Sequence, residues 1–406
     1  MKNRILSLTV ALVLNLSTFA ATLETDRTWY LAGEQMKVSV TAVDAVIAYA
    51  ELCDTRGLAA GAVIGLQQGR GTGIVELPSD LHSGYYVLSV YTRHSTKVSH
   101  QLVAVINPLH KREDDDIRWV SADSCWVTAD GTADLVNEKT ADLRETEGPI
   151  IKARIKNTHD GHTFSGSQIC PAMSIIGMQI HYFEGQMVND SLAVFYTYGI
   201  HGKQPLVLSA LSSTDVSLPI EMISPFATLL PKQLPHLVFH YKRSEVEARS
   251  LDMQRHQMIK EKDENQATGT PLDYEDTVYG TKPDLTYNLD EYRQFLSIRE
   301  VLLEYVDCVR KTKQNDVPKL IVRRGQDHYN SSLPTLVLID GMPVTDTERL
   351  LNYDARRIHY INIYGGQYTF GNGVYNGILS FITRSGQLTN YPTERNMQYL
   401  VYDFPE

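Results

Sequence analysis

Basic residues, closely spaced cysteines and long apolar runs are all scarce in this chain. Lysine and arginine number 38 against 48 acidic residues, a balance that repels a phosphate backbone and excludes nucleic acid as an expected partner. The four cysteines, Cys53, Cys125, Cys170 and Cys308, are far apart and form no CxxC pair. Buried single thiols are the favoured reading; if one disulfide forms in an oxidising compartment, Cys125 with Cys170 is the expected pair, because both fall in one expected domain. No segment reaches the ~20 apolar residues that cross a bilayer as a helix. GxSxG, HExxH, P-loop and cysteine–histidine signatures are missing as well. No catalytic, cofactor or metal residues are therefore assigned, and no cofactor is expected.

The N-terminus is what a secretory signal peptide requires: Lys2 and Arg4, an apolar run from Ile5 to Leu16, then small residues through Ala21. Residues 1–20 are expected to be removed, with cleavage after Ala20 or Ala21, and no cysteine stands near the cut to take a lipid. Loss of Lys2 and Arg4 leaves 36 basic residues against 48 acidic, a formal charge of -12. The mature chain is expected in the periplasm, at the outer membrane or at the cell surface, with no membrane span of its own.

From residue 21 to 107, short β-rich runs alternate with turn residues: Met36 to Val43, Val46 to Cys53, Gly73 to Leu77, Tyr85 to Thr92 and His100 to Ile106. The spacing predicts an antiparallel sandwich. Two phrases, Asp26 to Glu34 and Leu77 to Leu88, resemble the opening strand and a later edge of the macroglobulin-like β-sandwich of exported envelope proteins. The thioester of large protease-trapping macroglobulins cannot form here, since Ala32 stands where that chemistry needs cysteine. Gly69 to Gly73 is expected to be a flexible hairpin connection.

Residues 108–241 predict a second sandwich, with strands at Ile150 to Ile155, Ser191 to Tyr198, Leu206 to Leu211 and Val216 to Met222. Lys111 to Asp116 is expected as a solvated linker, because three adjacent acids without a glycine-punctuated loop lack calcium-site spacing. His159-Asp160-Gly161-His162 is expected as a surface turn, since a metal there would need further ligands from elsewhere. Residues 242–287 predict a charged helix with Ser244 and Glu247 as a capping box, followed by a linker.

Residues 288–390 predict a compact α+β unit, and 391–406 a tail. Ser297 and Glu300 form a capping box ahead of an apolar stripe at Ile298, Val301, Leu302, Tyr305, Val306 and Val309. The run Leu333 to Val344 predicts a buried strand stopped by Asp340-Gly341, where glycine supplies positive φ and aspartate bonds the turn. Leu338, Ile339 and the helical stripe are expected to share one core.

The order of pieces resembles the plug domain of TonB-dependent outer-membrane receptors: Val322 to Gly325, Leu338 to Val344, Ile358 to Ile363, and the glycine-rich Tyr368 to Gly386. The resemblance implies contact with an envelope partner, such as an outer-membrane barrel, through motif positions Arg323, Gly325, Asp340, Gly341, Pro343, Gly371 and Gly377. For Arg323 and Asp340 the structural alternative, closing a strand and fixing a turn, is favoured. About twenty residues follow Gly386, far short of the strands a spanning barrel needs. The expected protein is mainly β and multidomain: two antiparallel sandwiches presenting a small plug-like unit, a non-enzymatic binding or adaptor protein accessory to outer-membrane transport. A surface structural or adhesive protein, and a hydrolase with an unrecognised site, are the alternatives.

Overall fold

The computed structural model describes residues 21–109, 118–176, 181–214, 216–266, 282–314, 317–323, 333–370, 373–384, 388, 391 and 394–406. The expected signal peptide, the Lys111 to Asp116 linker and Ala267 to Pro271 lie outside them. The chain is mainly β and multidomain. No helix among the described residues is long and apolar enough to cross a membrane.

The first unit stacks a three-stranded sheet, in the order Thr22–Thr25, Gln35–Thr41, Arg70–Glu76, on a five-stranded one. The larger sheet runs Trp29–Leu31, Ser99–Ile106, Gly84–Tyr91, Ile47–Cys53, Leu58–Gly65, antiparallel except at its first pair. Gln35–Thr41 alternates exposed and buried residues, as a strand with one solvated face must. Met36, Val38 and Val40 meet Leu52, Leu88 and Val103 in the core between the sheets. Arg70 to Gly73 is a strand rather than a free loop; a side chain at Gly71 would strike the Gly65 carbonyl 2.0 Å away, so glycine there permits close backbone approach.

Ile47–Cys53 and Gly84–Tyr91 are buried at every residue, which requires cover on both faces. The outer cover comes from residues expected in the second sandwich. Arg118–Ser121, Trp126–Asp130 and His236–Tyr241 form a three-stranded sheet whose Leu237 and Phe239 pack on Trp29, Leu31, Tyr85 and Ile106. Apolar demand on the first unit thus moves the expected boundary after residue 107. It also separates Cys125 from Cys170: they lie in different layers, and all four cysteines are free thiols.

The second sandwich faces Gln186–Asn189, Leu192–Tyr196, Ile150–Ile155, Ile220–Ile223 against His181–Glu184, Ile169–Ile175, Gly202–Ser212, Gln398–Phe404, each in sheet order. The last strand comes from the expected tail. It pairs antiparallel with Gly202–Ser212 from Gly202↔Phe404 to Leu208↔Gln398. Tyr402 and Phe404 enter the core while Val401 faces out, the period-two pattern of a half-buried strand.

Helix α1 spans Arg243–Gln266. It begins earlier than Ser244 would dictate, with the amides of Glu245 and Val246 donating to the Lys242 carbonyl. Helix α2, Ile298–Glu304, carries the expected reciprocal cap of Ser297 and Glu300 but stops before Val309, which opens the hairpin Val309–Gln314 and Val317–Val322. Helix α3 is Thr347–Leu351, capped by Asp346. These elements pack on a sheet ordered Leu285–Asn288, Ile358–Phe370, Gly373–Thr383, Leu336–Ile339, Met342–Pro343.

Leu336–Ile339 is buried throughout, so its two faces enter different cores. Ile339 joins Val301, Leu302 and Leu351 as expected. Leu338 points the other way, to Tyr364, Ile378 and Ile382 with Tyr182 of the second sandwich. Ile176 and Val207 of that sandwich also enter the α+β core, so unit and sandwich share packed surface.

Candidate functional site

The plug-like motif positions fall into three groups. Asp340 and Gly341 take φ of 45° and 83°, the paired left-handed conformations of a tight hairpin turn, between Leu336–Ile339 and Met342–Pro343. Asp340 is fully buried; its carboxylate accepts from the Thr383 amide at 2.7 Å, the Leu388 amide at 3.0 Å and the Thr383 hydroxyl. Pro343 lies buried opposite Leu338. Gly377 has φ 83°, and a Cβ there would meet Val322 at 2.9 Å and the Tyr364 carbonyl at 3.0 Å. Arg323 is exposed at the end of its hairpin, its amide donating to the Cys308 carbonyl at 2.7 Å. Gly325 and Gly371 lie outside the described residues. Asp340, Gly341 and Pro343 hold a turn together and present no surface to a partner, which is the structural role favoured for Asp340.

Other conspicuous charges are likewise engaged within the fold. Where the first unit meets the second sandwich, Glu145 accepts from Tyr49 and from the Ile150 amide, and Arg93 donates to the Ile150 carbonyl at 2.7 Å. Desolvation pushes the Glu145 carboxyl up. Glu51, fully buried, accepts from Tyr91 and from the Thr228 and Leu229 amides. His159 and His162 face each other across an exposed hairpin turn at Asp160-Gly161. Among the described residues no group of three or more His, Cys, Asp or Glu is placed to hold a metal ion.

A shallow, partly open crevice with a cavity volume of only about 10 Å³ lies on the α+β unit. The segment from Leu289 to Phe295 enters it from a short turn capped by Asn288, α2 contributes Val301 and its C-cap residue Tyr305, and the turn Ala355–Arg357 closes the far side. Its floor is aromatic: Tyr292 and Tyr305 have ring centroids 4.6 Å apart, and Phe295 lies 5.4 Å from Tyr305. Arg293, Arg356 and Arg384 line it. Arg356 donates to Asp354 at 2.9 and 2.8 Å, while Arg384 pairs with Asp290 and donates to the Arg356 carbonyl. Asp290 also meets His359 at 3.1 Å. The Arg384 and Arg356 guanidiniums hold the Asp290 and Asp354 carboxyls below their ordinary value. Arg293 is exposed.

Sequence reasoning assigned Val301 and Tyr305 to the core and missed the crevice. Its one local signal is the clustering of Tyr292, Arg293 and Phe295 just before a capped helix. That Arg356 and Arg384 converge there depends on pairing between Ile358–Phe370 and Gly373–Thr383, which no local pattern encodes.

No family model and no curated protein matches this chain. Among solved structures, a Salmonella alpha-2-macroglobulin mutant is similar at 10% identity over 54% of this chain and 15% of its own, TM-score 0.20. A biofilm associated protein BSP domain matches at 10% over 54% and 30%, TM-score 0.18. Fibronectin(III)-like modules of Clostridium thermocellum CbhA match at 10% over 54% and 94%, TM-score 0.16. The chain thus spans well under a third of the macroglobulin. At these scores the likeness says nothing about what the chain binds. The plug likeness rests on the sequence motifs alone.

Proposed function

We propose that this chain is an exported, non-enzymatic binding protein of the cell envelope, in which the two β-sandwich units carry the α+β unit and that unit recognises a partner. The observation that carries the reading is the shallow aromatic crevice lined by Arg293, Arg356 and Arg384, on the unit whose motif residues Asp340, Gly341 and Pro343 are buried in its own turn. The leader-like N-terminus supports export. The ordered plug-like motifs support a partner in outer-membrane transport, such as a barrel.

A surface adhesive role is the second reading, favoured by one feature of the first unit. On the solvent side of its outer sheet, Trp126 is 43% exposed and stacks on His240 at 4.4 Å, with Val120, 38% exposed, next in register. Crosslinking of the full chain in intact cells, followed by fractionation, tests both. A discrete envelope partner is expected; turnover of peptides or glycans by the purified chain would overturn the non-enzymatic reading, and release by surface shaving with no partner would favour adhesion.

A further inference from the structure

We infer that the strand Val309–Gln314 of the α+β unit is a docking edge for an extended acidic peptide, which adds to the hairpin as a third strand with its carboxylates beside Lys311 and Lys313. The inference rests on the binding reading for its context and names the chemistry of the partner. Val309–Gln314 and Val317–Val322 form a two-stranded sheet of their own. The second strand is covered: Leu320 and Val322 are buried in the α+β core, and the Val322 amide donates to the Thr335 hydroxyl at 3.0 Å. Among the described residues, no strand pairs with the other side of Val309–Gln314.

The phase of the ladder decides which groups face that open side, because bonded and non-bonded pairs alternate along antiparallel strands. The Arg323 amide donates to the Cys308 carbonyl at 2.7 Å, so Val309↔Val322, Lys311↔Leu320 and Lys313↔Pro318 are the non-bonded pairs. Pro318, which has no N–H, fits that phase. The backbone amides and carbonyls of Lys311 and Lys313 therefore point away from Val317–Val322, in the spacing by which an incoming strand extends a sheet edge. Charge then selects the strand. From Val309 to Arg323 the sequence holds five basic residues and one acidic, and Arg310, Lys311 and Lys313 are exposed. Lys311 shares Glu348 with Arg299, so one acid answers two bases there. Lysines on an edge guard it against indiscriminate pairing, since they repel a basic strand and a second copy of this one. The same charges admit an acidic strand, which turns the guard into a filter. Lys311 and Lys313 lie two residues apart on one face, so the partner is expected to carry acids at alternate positions.

The test uses the full chain and fluorescein-labelled peptides read by anisotropy. Thr-Val-Glu-Val-Glu-Val-Thr is expected to bind at least tenfold more tightly than its glutamine counterpart, and to weaken as salt rises. The same acidic peptide N-methylated along its backbone keeps its charge but cannot donate to the edge, and is expected to lose at least tenfold. Lys313→Glu is expected to weaken binding of the acidic peptide. K311E/K313E is expected to lose it at least tenfold and to gain affinity for Thr-Val-Lys-Val-Lys-Val-Thr, a gain that only a folded hairpin gives. Equal binding of the glutamine or N-methylated peptide, no binding of the acidic peptide by the wild-type chain, or preference for phosphatidylglycerol vesicles over that peptide would overturn the inference. Envelope-partner capture that survives K311E/K313E would also overturn it while leaving the binding reading intact. Acidic-peptide binding without any captured partner would support the edge chemistry and count against the envelope reading instead.

Discussion

Asp340 concentrates the energetics of the α+β unit in one side chain. It is buried, sits at positive φ and accepts hydrogen bonds from Thr383 and Leu388. Asp340→Ala strips acceptors from buried donors, at ~1–3 kcal/mol each. Urea denaturation is expected to show a loss of at least ~3 kcal/mol, among the large single-site effects; a variant within ~1 kcal/mol of wild type would mean the carboxylate is dispensable. The Asp-Gly turn was legible in the sequence because its φ requirement is local. Its ties to Thr383 and Leu388, 43 and 48 residues away, were not. Histidines add a pH effect: desolvation holds His94, His100 and His181 below the ordinary value of 6.5. As pH falls, the unfolded chain binds these protons first, so stability present above pH 6.5 is lost as pH drops through the lower folded values. The buried Glu145, with its raised pKa, acts in the opposite sense. The histidine part is therefore read as the difference between wild type and His100→Gln, which is expected to shrink on acidification from pH 7 to 5.5; a widening difference would reverse the sign.

Among elements, the last strand departs furthest from expectation, while α1 forms where the charged helix is expected; each rests on long-range contacts. The first turns of α1 are anchored by Arg249, which lies 3.7 Å over the Trp29 ring, donates to the buried Glu34 at 3.0 Å and pairs with it again. Farther along, Leu251, Met258 and Ile259 are more than half exposed, so packing there adds little to helix stability. Arg249→Ala is expected to speed hydrogen exchange across α1 at least tenfold, leaving the sandwich strands protected; unchanged exchange would show that the helix holds itself. Capping boxes and alternating strands were legible because they follow local periodicity, as at Ser297 and Ile150–Ile155. Gln398–Phe404 carries an alternating pattern too, but its brevity after a broken stretch concealed it. Its pairing adds Tyr402 and Phe404 to the second sandwich core. Phe404→Ala should cost ~3–5 kcal/mol and loosen exchange in Gly202–Ser212; protection lost only in α2 and α3 would contradict the pairing.

At the scale of the whole molecule, the units are interlocked. The sheet on the first unit draws from both sides of the second sandwich in sequence, and the final strand returns from the α+β unit to complete that sandwich. An isolated fragment from residue 288 onward would carry that strand without its neighbours, so the full chain is the proper object for binding experiments. The mainly β, layered class was legible from composition and periodicity. The exchange of strands between units was not, because it depends on which apolar faces remain uncovered once local elements have formed. Recognition confined to the α+β unit is the central claim, and site-specific photocrosslinking tests it most directly. A photoreactive residue replaces either Tyr292, in the crevice, or Trp126, on the outer sheet of the first unit, in full-length protein within intact envelopes. A discrete adduct from position 292 and none from 126 is the predicted result; adducts from 126 alone would place recognition on the sandwiches and contradict the account.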